Sequence, residues 1–156
     1  MRNSIAGTWV YATVLVFMVV LIAYVTITIN YSNAYEISEN IIKAIEQYEG
    51  INPKSLEQIE RLMNNTHTVK GNCGTDDDFV GINGNTATKT TNNPGPYSVC
   101  VARSDHTVNG VTKYYYSITI FFSFNLPVLG DLFTFKIPGE TMGIRYPTDC
   151  YFDVCN

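Results

Sequence analysis

Four cysteines, two histidines and one run of three aspartates are the residues whose types could do chemistry. Cys73, Cys100, Cys150 and Cys155 form an even set without the tight paired spacing of a zinc site, which favours two disulfides in an oxidising compartment. Spacing does not decide the connectivity. Cys73–Cys100 and Cys150–Cys155 are favoured, because the second pair lies so close in sequence. His67 and His106 stand at no metal or triad spacing from a cysteine or carboxylate, and read as surface or strand histidines. A calcium loop starting at Asp76 would place Gly81 correctly. It would also put Val80 and Ala87 where acidic or amide ligands belong, so Asp76–Asp78 reads as a solvated acidic loop. "GINGNTATKTTNNPGP" reads as a long exposed loop, and no GKS or GKT follows to make it a phosphate loop. Asn30-Tyr31-Ser32 and Asn64-Asn65-Thr66 fit the glycosylation pattern, a short motif that matches often by chance. The residues therefore point to no catalytic, cofactor-binding or metal site. A net charge of −4 without a basic stripe argues against nucleic acid as a partner.

Trp9–Ile29 contains no charge, and twelve of its residues are Val, Ile, Leu or Phe. Such a run matches the roughly 20 residues that cross a bilayer. At about −0.3 to −0.6 kcal/mol each, the twelve favour insertion by about −5 kcal/mol. The run is longer than the core of a cleaved signal peptide, so it is read as retained, although Ser32 and Ala34 form a small-x-small site. Arg2 is the sole charge before it, and the rest of the chain is acidic, which favours a cytoplasmic N-terminus and an external body.

No proline or turn cluster ends the helix after the apolar run. Ala34, Ile37, Ile41, Ile45 and Tyr48 continue as a helical stripe, with Glu36, Glu39, Lys43, Glu46 and Glu49 on the other face. Gly50 is read as the C-cap, so one helix covers about Thr8–Glu49, roughly 63 Å long, of which a bilayer core takes only about 30 Å. Asn52-Pro53 then opens a second helix whose buried side is Leu56, Ile59, Leu62 and Met63.

The body switches to period two. Thr112, Tyr114, Tyr116, Ile118, Ile120, Phe122 and Phe124 share one face of "VTKYYYSITIFFSFN". Asn109-Gly110 is a strong hairpin signal. It pairs Val108 with Val111, Val101 with Ile118, Val99 with Ile120 and Tyr97 with Phe122, and sets Arg103 opposite Tyr116 as a cation–π pair. Cys100 falls on the other face, where a loop bearing Cys73 can reach it. "DLFTFKI" and "ETMGIRY" read as two more strands around a turn at Pro138-Gly139. The expected fold is α+β: a long N-terminal helix packed on an antiparallel sheet of about four strands.

The start "AGTWVYATVLVFMVVLIAY" and the end "FFSFNLPVLGDLFTFKIPGETMGIRYP" resemble the TadE/TadF-like minor pilins of tight-adherence (Flp, type IV-like) pili. The resemblance covers the two ends and not the stretch 64–96. It implies a pilin-like subunit, partnered by other pilin subunits, by membrane lipid before assembly, and by a platform protein and ATPase that move it into a fibre. It implies no catalytic residue. One departure stands out: if Gly7 precedes the peptidase cut, Ala12 occupies the fifth position, where such pilins carry glutamate.

The expected organisation is a cytoplasmic N-terminus at 1–8, a transmembrane helix at 9–29, its extracellular continuation at 30–50, and an α+β head at 51–156. Val14, Phe17, Val20, Leu21 and Val25 are the candidate fibre-core contacts. The rival expectation is a monomeric, membrane-anchored binding protein that uses the 72–96 loop as an adhesin or receptor surface. A secreted enzyme is a distant third, for lack of any site.

Overall fold

The structure, a computed structural model, describes residues 2–64, 68–73, 79–90, 95–126 and 130–152, and their side chains outside 2–7 and 124–133. Helix α1 (Arg2–Gln47) is 46 residues long, about 69 Å at the usual helical rise. Helix α2 (Pro53–Asn64) follows. The strands are β1 (Phe79–Asn83), β2 (Thr86–Lys89), β3 (Val99–Val108), β4 (Val111–Leu126) and β5 (Gly130–Glu140), in one antiparallel sheet of order β2-β1-β3-β4-β5.

The joint between the helices follows from its capping residues. Gly50 was expected at the left-handed C-cap, but Glu49 takes that conformation at φ 54°. The amide of Gly50 then reaches back to the Ile45 carbonyl at 2.9 Å, the closure of a Schellman turn. Gly50 is required for another reason: a Cβ there would fall on the Asp149 carboxylate. Asn52 caps α2 through Oδ1, which accepts from the amides of Lys54 and Ser55 at 3.1 Å each.

The main core lies between the helices and one sheet face. Ile41, Ala44 and Ile45 of α1 and Leu56, Ile59 and Met63 of α2 meet Val80, Ile82, Val99, Val101, Tyr116, Ile118, Ile120 and Ile137. Leu62, expected among the buried residues of α2, only borders this cluster. The β3–β4 register runs from Val108↔Val111 to Val99↔Ile120, as the Asn109-Gly110 turn dictates.

Ser98 still accepts from the Phe121 amide at 3.2 Å, as this register requires, and at Tyr97 the expected pairing fails. Ser98 donates to the carbonyl of Ile82, whose register partner is already Val99. Two residues of one strand thus face one of its neighbour, a β-bulge that slips the alternation. Tyr97 pairs with Gly71 rather than Phe122, and its ring turns to the opposite face, beside Cys73, Cys100 and Phe121. Thr68 takes the bridge to Phe122.

Two further expectations are corrected. The stretch read as a loop contains the hairpin β1–β2, turned at Gly84 (φ 64°) and Asn85, so the sheet has five strands. Pro138-Gly139 is not a turn but lies at the end of β5, and "ETMGIRY" is not a strand: Glu140 closes β5, and the rest contributes a bridge between Ile144 and Tyr114. A proline is tolerated there because β5 is an edge strand. Gly139 is needed because α1 crosses at that point: a Cβ would strike Ile42.

Candidate interaction surface on the long helix

One end of α1 is clamped. Ala34, Ser38, Ile41, Ala44 and Ile45 are buried against the sheet. Glu46 Oε1 accepts from the Met142 amide at 2.7 Å, fixing the chain after β5 to the same helix. The segment 148–150 adds a second tie, with the amides of Thr148 and Cys150 donating to the carbonyls of Glu49 and Ile51 at 2.7 and 3.0 Å.

Asp149 is the centre of that tie, and its carboxylate is buried. One oxygen accepts from the Ile51 amide at 2.7 Å, and the other from the Tyr116 hydroxyl and from Arg103 Nη1, the latter at 3.0 Å. Burial, and then the Asp149 carboxylate, push the Tyr116 hydroxyl far above the usual tyrosine range. The expected Arg103–Tyr116 cation–π pair is corrected here. The guanidinium lies 5.2 Å from the Tyr114 ring centroid and 5.0 Å from that of Phe152, while Arg103 and Tyr116 share Asp149. Sequence reasoning missed Asp149. Its one signal was an acid directly before Cys150, one of two in the tail "TDCYFDVC".

The apolar part of α1 is left uncovered by the described residues. The apolar stretch within Thr8–Gln47 has a mean hydropathy of 2.6 over its best 18 residues, with 0% of that window buried. This helix is long and apolar enough to cross a membrane. Val14, Phe17, Val20, Leu21 and Val25 are between 42% and 62% exposed. Their neighbours Val16, Val19 and Ile22 are exposed too, so no polar face interrupts the apolar surface. The threonines in this stretch do not break the pattern. Thr13, Thr26 and Thr28 each donate to the carbonyl four residues back, at 2.9, 2.8 and 2.9 Å, which satisfies the hydroxyls within the helix.

Amphipathic aromatics mark both ends of this stretch: Trp9 and Tyr11 at one, Tyr31 and Tyr35 at the other, all exposed. From Trp9 to Tyr31 the rise is about 33 Å, close to the thickness of a bilayer core. Tryptophan and tyrosine favour the two membrane–water boundaries. These belts are legible in the sequence itself.

Cys73 and Cys100 form a disulfide on the sheet face away from α1, with Cα atoms 5.3 Å apart and a sequence separation of 27. Closing a loop of that size stabilises the fold by about 3.5 kcal/mol in the chain-entropy picture. Cys150 is also disulfide-bonded. Its expected partner Cys155 lies outside the described residues, as do His67, Asp76–Asp78 and the Asn65-Thr66 half of one glycosylation motif. His106 sits edge-on to Tyr115, with ring centroids 5.7 Å apart. Among the described residues no group of three His, Cys, Asp or Glu is placed to hold a metal ion. No protein-family model, curated protein or solved structure matches the chain.

Proposed function

We propose that the protein is a structural, pilin-like subunit of a type IV-like, tight-adherence surface pilus, held in the membrane by α1 before assembly and packed through the same helix afterwards. The N-terminus lies in the cytoplasm and the α+β body outside. The partners are other pilin subunits and the ATPase-driven platform that extracts them. The observation that carries this reading is the unbroken helix: one half bare and apolar on every side, the other clamped to a folded body. A flexible linker would suffice for a tether. A rigid rod is what a fibre needs, because the angle between core and outer body must repeat from copy to copy.

Lipid and helix surfaces are equally apolar, so moving from bilayer to fibre gains little hydrophobic energy and depends on packing shape. Val20→Trp should therefore leave the membrane level of the protein unchanged and lower its amount in sheared surface filaments severalfold. Membrane fractions and shear-released filaments, each probed for the chain, read this directly. Absence of the wild-type chain from every sheared filament would leave the anchored monomeric binder as the better reading.

A further inference from the structure

The β3–β4 hairpin extends past the clamped end of α1. Gly139, beside Ile118 in the β4–β5 register, lies against Ser38 and Ile42, whereas Gly50, beyond the end of α1, lies against Tyr116. From Ile118 to Tyr116 the strand therefore runs with α1 and away from its bare end, and five more residues carry it to Val111. On the sheet face turned away from α1, this tip holds a half-open cavity of about 350 Å³, lined by His106, Val108, Val111, Lys113, Tyr115 and Arg145 around the Asn109 turn.

The lining has an unusual balance for a chain of net charge −4. It contains one guanidinium, one ammonium and two ring side chains, and no carboxylate among the described residues. Both cations are exposed, and the backbone sets the two residues side by side. The amides of Tyr114 and Ile144 each donate to the other's carbonyl, at 2.8 and 2.9 Å, which places the backbone of Arg145 beside the strand bearing Lys113. Gly143 packs close to the Tyr115 ring and the Lys113 stem. The walls formed by Val108, Val111 and Tyr115 are apolar or aromatic.

From this arrangement we infer that the hairpin tip is a binding site for a carboxylate-bearing saccharide. Arg145 and Lys113 take the carboxylate through charge-assisted hydrogen bonds. The Tyr115 ring and the two valines receive the C–H face of a sugar ring. The volume falls at the low end of the range for small-ligand pockets, enough for one or two sugar rings. Bare inorganic anions make poor use of such walls, which is why an acidic sugar fits better than phosphate. The site is complete within one chain and does not depend on assembly into a fibre.

The test uses the full chain in detergent micelles, titrated calorimetrically with trigalacturonate, with neutral trigalactose and with inorganic phosphate. Saturable binding of trigalacturonate alone is expected. Lys113→Gln combined with Arg145→Gln should weaken it about tenfold or more, about 1.4 kcal/mol per factor of ten. Lys136→Gln, an exposed cation on the same face above Phe121, should leave it unchanged. No saturable binding, equal binding of trigalactose or phosphate, or equal losses from Lys136→Gln would each overturn the inference. Because the measurement is made on dispersed chains, its failure leaves the filament reading untouched.

Discussion

The two halves of α1 share one backbone and differ in what surrounds them. Between Ala34 and Ile45, small and branched residues alternate with charges, so a stripe is buried and the remainder is solvated. Between Trp9 and Ile29 no charge breaks the pattern, and the described residues offer that surface no cover. Helix propensity is not what separates them. The difference is whether the buried face is supplied from within the chain or from outside it. A variant of the clamped half should therefore act on folding and, on the proposed function, a variant of the bare half on location and assembly.

The largest effect should come from the core beneath the clamp. Ile120→Asp places an unpaired charge among Val99, Ile118 and Ile137 and should unfold the body, a loss of about 5 kcal/mol in a domain whose whole stability is of that order. Thr119→Asp, one residue along and on the other face, should cost far less. Thermal unfolding of the two variants measures the contrast, and equal losses would break the assignment of faces.

Asp149→Ala should follow, at about 3–5 kcal/mol, because it strands Arg103, the Tyr116 hydroxyl and the Ile51 amide together. Chemical denaturation reads the loss. A result under about 1 kcal/mol would mean that the tail is not what ties the helix joint to the sheet.

A smaller and purely alkaline effect belongs to Tyr116. Its folded-state pKa is raised above the ordinary value of 10.0, by burial first and by Asp149 second. Below pH 10 both the folded and unfolded chains keep this proton, and Tyr116 adds no pH dependence. Above pH 10 the unfolded chain releases it while the folded chain holds it, so stability falls by about 1.4 kcal/mol per pH unit from this group. Tyr116→Phe should flatten the alkaline decline by that slope, measured as unfolding free energy between pH 9.5 and 11.5. An unchanged slope would contradict the buried position.

How much of this was legible in the sequence divides along the same line. The long helix, its stripe and the β3–β4 register followed from periodicity and from Asn109-Gly110, because those signals are local. Gly84-Asn85 is an equally local hairpin signal, hidden by a threonine- and asparagine-rich setting that reads as loop. Pro138-Gly139 looked like a turn because its true reasons are tertiary: an edge strand for the proline and a crossing helix for the glycine. The bulge at Ser98 and the three partners of Asp149 are long-range as well, and no spacing rule joins residue 149 to residues 51, 103 and 116. At the candidate surface, Val14, Phe17, Val20, Leu21 and Val25 were readable as apolar. Their exposure needed the structure.

The central claim is that α1 acts as one rigid rod, and the most direct measurement breaks it between its halves. Insertion of Gly-Ser-Gly-Ser after Tyr31 leaves the apolar run and the clamp intact and removes only the continuity between them. Membrane levels and the thermal unfolding of the body should match the parent chain, while the amount of chain in sheared filaments should fall to near background. Normal incorporation of the inserted variant would contradict the account, because a flexible joint would then serve as well as the helix.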